Sequence, residues 1–179
     1  MELNSYSYNV SYRDVKYPRV ELKTGKILFV LPFGYNPDIV YDKYKNWIDK
    51  KMKFIKDCLS AAENKRLLQR SEKEFRDLIY RINKKLSDDL GVNINKIYFR
   101  YMKTKWASLS SRNNITVNRF MKYLPEYLIE YILFHELVHI IEKKHNKRFW
   151  KIISKKYGSY NKIEKELFEY WFKLSKSKE

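Results

Sequence analysis

The first third of the chain alternates between apolar and polar positions. Tyr6, Tyr8, Val10 and Tyr12 are separated by polar residues, and a second run, Val20-Glu21-Leu22-Lys23, leads through Thr24-Gly25 into Lys26-Ile27-Leu28-Phe29-Val30-Leu31-Pro32. A period of two buries one face of a strand, and a Thr-Gly step between two such runs signals a hairpin. The expectation is an antiparallel sheet over residues 5–32. The period then lengthens. Behind Asn36-Pro37-Asp38, where the asparagine caps and the proline takes the first helical position, Val40, Tyr44, Trp47, Ile48, Phe54, Ile55 and Cys58 recur at helical spacing. Lys43, Lys45, Lys50, Lys51 and Lys53 lie between them, so a helix over about 37–62 has a basic outer face. A second helix, about 72–90, starts at Ser71, where Glu74 completes a capping box. It buries Phe75, Leu78, Ile79, Ile82, Leu86 and Leu90 and stops at Gly91.

Period two returns at Lys96, with Ile97, Phe99 and Tyr101 on one face and Tyr98, Arg100 and Met102 on the other. The turn cluster Ser110-Ser111-Arg112-Asn113-Asn114 precedes a short strand, Ile115-Thr116-Val117-Asn118, placing strands at about 96–118. Pro125-Glu126 then opens a helix over about 125–143. Leu128, Ile129, Ile132, Leu133, Phe134, Leu137, Val138, Ile140 and Ile141 make that helix apolar nearly all round, so it must be central and buried. Phe149, Trp150, Ile152, Ile153 and Tyr157 predict a short helix closed by Gly158, and Ile163, Leu167, Phe168, Trp171, Phe172 and Leu174 a last one, together spanning 146–176. No repeat, linker or boundary interrupts the pattern. The predicted fold is α+β: a single domain, 1–179, with a small antiparallel or mixed sheet packed on helices around the central one.

Composition narrows the setting. Apolar residues make up 44% of the 179, which excludes a disordered tail. One cysteine, Cys58, rules out an intrachain disulfide and a Cys-x-x-Cys zinc ribbon, and reads as a small hydrophobe on its helix. The N-terminus lacks a basic region followed by an apolar run. The longest apolar window, Tyr127 to Ile141, is broken by Glu130, His135, Glu136 and His139, so no membrane span is expected. These features lead to an expected cytoplasmic location. The net charge of +17 admits a nucleic acid or another polyanion as partner. Because the lysines are scattered and no aromatic-basic motif stands out, solvated surface is the first reading of that charge and nucleic acid the second.

The candidate chemistry is concentrated in one stretch. All three histidines fall between His135 and His145, and His135-Glu136-Leu137-Val138-His139 is an H-E-x-x-H motif on the buried helix. Residues four apart stack on one helix face, so His135 and His139 can present two imidazole nitrogens to one ion, with Glu136 beside it. A catalytic zinc keeps three protein ligands and one open position, and His145 is the natural third. Six residues at about 100° each would carry His145 to the far side of an unbroken helix. The helix must therefore end or bend between Ile140 and His145. Lys143-Lys144 suit a helix C-terminus, and Asn146 can terminate that helix or cap the next. Glu164, Glu166 and Glu169 on the last helix are the alternative third ligands, ranked below His145.

Several segments together resemble a known family. Lys103-Thr104-Lys105-Trp106-Ala107-Ser108, then Ile115 to Asn118, the H-E-x-x-H helix, and His145-Asn146-Lys147-Arg148-Phe149-Trp150 are similar to the YgjP-like metallopeptidases, relatives of the SprT and WLM zincins. The resemblance covers roughly residues 98–157. It implies a zincin-like fold, one zinc ion held by His135, His139 and His145, Glu136 as catalytic carboxylate, and a peptide or protein substrate. The family usually has glycine where Ala107 stands, and often cysteine where Leu109 stands. Neither position is a ligand, so the departure bears on the loop beside the site. Trp106 and Ser108 match, and read first as packing and turn residues of the site wall. Metzincins share the histidine spacing but have glycine in place of Glu142 and a methionine turn after the third histidine; the last methionine here is Met121, which excludes them.

The expected reaction is peptide-bond hydrolysis by a zinc-activated water, with Glu136 as general base. Either the strand Ile115 to Asn118 or the Trp106 segment is expected to pair with an extended peptide as an added strand. Two alternatives use the same centre: a SprT-like protease acting on nucleic-acid-bound proteins, and a zinc hydrolase of a small substrate such as a nucleoside triphosphate.

Overall fold

A computed structural model describes residues 2–3, 6–23 and 26–176. The Thr24-Gly25 hairpin turn expected from the sequence lies outside the described residues. The described chain packs as two compact units, Met1–Glu63 and Asn64–Glu179.

The first unit holds strands β1 (Glu2–Leu3), β2 (Tyr6–Tyr12), β3 (Arg19–Lys23) and β4 (Lys26–Leu31), followed by helix α1 (Pro37–Glu63). β3 and β4 pair antiparallel as expected, with Val20 opposite Phe29 and Leu22 opposite Ile27. β2 instead lies parallel to β4, Tyr8 opposite Ile27 and Val10 opposite Phe29, so the strand order is β1-β2-β4-β3 and the sheet is mixed rather than antiparallel. Alternation is the same for either pairing and so does not set the direction; β4, whose Phe29, Val30 and Leu31 are all fully buried, is an inner strand of the sheet. The cap of α1 forms as read: Asn36 Oδ1 accepts the Asp38 N–H at 2.8 Å. Val40, Tyr41 and Ile48 pack on Ile27, Phe29 and Leu31, and Cys58 is buried as a small hydrophobe.

The second unit contains helix α2 (Glu72–Leu90), strands β5 (Lys96–Arg100), β6 (Ala107–Leu109) and β7 (Asn114–Asn118), a 3-10 turn over Arg119–Tyr123, and helices α3 (Glu126–Ile141), α4 (Lys147–Lys156) and α5 (Tyr160–Lys176). Its α2 is bounded by the reciprocal Ser71–Glu74 capping box and by Gly91, which adopts a left-handed φ of 64°. β5 stops at Arg100, two residues short of the alternation read through Met102. β7 is the central strand, parallel to β5 and antiparallel to β6, and among the described residues β6 has one unpaired edge. The β6–β7 turn closes through Ser110 and Asn113, the latter at φ 53°, a conformation asparagine tolerates.

α3 runs through the middle of this unit, with Leu128, Ile129, Leu133, Leu137 and Val138 fully buried among α2, the sheet and α4. The all-round apolar pattern is therefore that of a core helix. Asn118, at the end of β7, is fully buried, and its side-chain amide donates to the carbonyls of Met102 (2.9 Å) and Lys105 (2.7 Å) while its backbone N–H donates to Trp106 (2.8 Å). One asparagine thus satisfies the backbone of the irregular segment leading into β6, which would otherwise bury unpaired carbonyls. Among the described residues no helix is long and apolar enough to cross a membrane.

Candidate metal centre

His135 and His139 stand one turn apart on α3, as the motif requires. The helix then ends where the sequence demanded. Glu142 leaves helical geometry at φ −138° and ψ 108°, still donating its N–H to Val138. Four residues later Asn146 caps α4, its Oδ1 accepting from the N–H groups of Arg148 and Phe149, both at 3.0 Å. A helix end and a helix start four residues apart hold His145 back over the face it would otherwise have left. His135 Nε2 and His145 Nε2 are 2.9 Å apart, and one nitrogen from each of the three imidazoles lies within 4.8 Å of the others.

The rings around these histidines fix their attitude. Phe149, fully buried at the start of α4, contacts all three imidazoles, with centroids 4.7 to 4.9 Å away, and forms the floor beneath them. Trp150 stacks on His145 at 5.7 Å and is itself stacked on Tyr160 at 4.9 Å, backing the one exposed member of the trio. His139 Nδ1 sits 3.1 Å from the Glu142 carbonyl. Because a carbonyl only accepts, Nδ1 carries the hydrogen and Nε2 keeps its lone pair, the tautomer a metal ligand needs.

Protonation follows from this crowding. Burial, with His139 and His145 adding to it, pushes His135 down to about 4, and burial also lowers His139. Neutral imidazoles are the ligating form, so at neutral pH no proton has to leave these two rings before they bind a cation. Glu136 moves the other way. Burial raises its carboxyl from 4.5 to about 7, against a hydrogen bond from the backbone of Leu109 and the charge of Lys105. A folded-state value above the unfolded one means the native state holds the proton more tightly, so this group's contribution to stability is full below 4.5 and lost as pH rises through about 7. Metal-free protein should therefore lose thermal stability relative to its Glu136→Gln variant across that window, in paired melting curves. A difference that does not change with pH would contradict the shift.

The three histidines and Glu136 open onto a cleft of about 950 Å³ lined also by Lys105 to Ser111, by Ile132 and Ile140 of α3, and by Glu164, Leu167, Phe168 and Trp171 of α5. The glutamates weighed as third ligands are otherwise engaged. Glu166 and Glu169 both pair with Lys65, at 2.7 and 2.8 Å, and Glu164 accepts the Tyr131 hydroxyl at 2.9 Å. Among the described residues, the group whose donor atoms come close enough to share an ion is His135, His139 and His145. Three imidazole nitrogens suit a divalent transition metal, and zinc in particular beside an H-E-x-x-H carboxylate.

Sequence reasoning did not find Phe149 as the floor, Leu109 as the backbone partner of Glu136, or the α5 wall. Glu164, Leu167, Phe168 and Trp171 fall at i, i+3, i+4 and i+7, a spacing visible in the sequence but indistinguishable there from an ordinary core stripe. Of the two strands expected to receive a peptide, β7 is paired on both sides and has no free edge, whereas β6 has one.

An H-E-x-x-H helix whose two histidines meet a third beside a half-buried carboxylate, in a cleft of about 950 Å³, defines a metal-dependent hydrolase. The chain belongs to the YgjP-like, metallopeptidase domain family, whose profile matches residues 43–170, and it is a metallopeptidase. Among solved structures it is similar to the metallopeptidase zymogen of Pyrococcus abyssi abylysin, at 27% identity and a TM-score of 0.40, over 43% of this chain and 77% of that one. It is also similar to the metallopeptidase zymogen of Methanocaldococcus jannaschii jannalysin, at 24% identity and a TM-score of 0.43, over 57% of this chain and 94% of that one. No curated protein sequence matches it.

Proposed function

We propose that this metallopeptidase is zinc-dependent, with His135, His139 and His145 holding a single ion and Glu136 acting as general base. The convergence of the three imidazoles carries the reading. When bound, the ion supplies Lewis acidity, which acidifies water and polarises a carbonyl. The side chains supply the rest. Glu136, adjacent in the chain to a ligand and facing the same cleft, takes the proton of the attacking water and delivers it to the leaving nitrogen. The free edge of β6 offers backbone groups to an extended peptide, so the scissile bond is presented as part of an added strand.

The test uses freshly purified protein, metal analysis and a panel of peptides alongside nucleoside triphosphates. Zinc at one ion per chain is expected, with peptide cleavage that a chelator removes and added zinc restores. Zinc-loaded protein that hydrolyses only the triphosphates would replace the peptidase reading with that of a small-substrate hydrolase.

A further inference from the structure

Cations that lie scattered along the sequence gather around one strand of the second unit. Between Asp89 and Glu126 the chain carries no acidic residue; within that span Lys96 and Arg100 fall on β5, Lys103 just beyond it, and Arg119 and Lys122 behind β7. β5 is an edge strand, so among the described residues one of its sides has no partner. Its alternation turns Ile97 and Phe99 to the core, and Lys96, Tyr98 and Arg100 to the opposite, exposed face. None of these three lines the cleft of the metal centre.

Aromatic rings are interleaved with the charges. The Arg100 guanidinium lies over the Tyr98 ring at 5.7 Å and that of Arg119 over Tyr101 at 5.1 Å, with Phe120 tilted against Tyr101 at 4.8 Å. On the flank of the strand, Tyr80 of α2 meets Phe99 edge to face at 6.1 Å. Tyr98, Tyr101 and Tyr80 nevertheless stay 39%, 58% and 51% exposed. Arg119 and Lys122 share one carboxylate, that of Glu72, at 3.0 and 3.3 Å, whereas Lys96, Arg100 and Lys103 pair with no carboxylate among the described residues. The positive charge here is uncompensated.

A solvated basic surface accounts for the charge but does not call for exposed rings set among guanidinium groups. An acidic protein segment would meet the cations and leave the rings uncovered. A single strand of nucleic acid uses both, because its phosphates pair with the cations and its unstacked bases can lie on the aromatic faces, as the bases of a duplex cannot. We infer that the free side of β5, with Tyr98, Arg100 and Tyr101, is a binding face for single-stranded nucleic acid, separate from the metal centre.

Fluorescein-labelled polyuridine and polythymidine strands of about 15 nucleotides test the assignment by anisotropy on the zinc-loaded protein. Both should bind at least about tenfold more tightly than a duplex of equal length or polyglutamate. Tyr98→Ala and Tyr101→Ala, each with an unchanged melting curve, should weaken strand binding about tenfold, and Tyr98→Phe should retain it. Arg100→Ala should lower the slope of log affinity against log salt by about one. The control Lys50→Ala/Lys51→Ala removes more charge from exposed positions on α1 and should change affinity by less than about twofold. Removing zinc with a chelator should leave binding unchanged. Failure of both strands to bind, equal affinity for strand, duplex and polyglutamate, unchanged affinity in both tyrosine-to-alanine variants, or loss of binding on chelation would overturn the face. Preference for polyglutamate would replace the nucleic acid with an acidic protein segment. None of these results bears on the hydrolytic reading of the metal centre, which is tested by turnover.

Discussion

Glu136→Gln is expected to reduce peptide hydrolysis by about 100- to 10,000-fold while zinc content stays at one ion per chain. The amide is nearly isosteric, can still accept from the Leu109 backbone, and lies beside the three imidazoles without contributing to their donor set. What it loses is basicity. A proton acceptor acts in the transition state and not in substrate binding, so the loss should appear in kcat rather than in KM. Stopped assays on zinc-loaded wild type and variant, with metal measured on the same samples, provide the check. Retention of more than about a tenth of wild-type kcat would show that another group moves the proton.

His145→Ala is expected to lower zinc affinity by well over a hundredfold, since loss of even an outer-shell partner costs 10- to 100-fold, and to abolish activity with it. Of the three histidines it is the exposed one, held by a loop between two capped helices and by its stack on Trp150, so its removal should leave the core intact. Equilibrium dialysis against a zinc buffer reads the effect directly. Glu164→Gln is the matched control: if the last helix supplied the third ligand, that variant would lose metal instead. Stoichiometric zinc in His145→Ala would overturn the assignment.

Much of this site was legible in one stretch of sequence, for a local reason. Two histidines four apart on a helix share a face whatever surrounds them, and the need for a break before His145 follows from 100° per residue alone. Asn146 could be named as a terminator or a cap because its side chain acts on backbone groups two and three residues away. The capping box of α2 and the Asn36 cap of α1 were readable on the same ground. The parallel partnership of β2 with β4 was not. Tyr8 and Val10 alternate in the same way whether the neighbouring strand runs up or down, so a period of two carries no information about direction.

The sequence by itself determined the elements, the break that returns His145 to its partners, and the kind of chemistry three imidazoles and a carboxylate can perform, because each depends on residues within a few positions of one another. Only the tertiary structure decided that β6 and not β7 has the free edge, that Phe149 lies under the three rings, that burial brings Glu136 near neutrality, and that α5 turns an apolar stripe toward the cleft. Strand order, burial and the covering of one helix face by another are sums over residues far apart in the chain. Periodicity says which face is apolar; only packing says what that face meets.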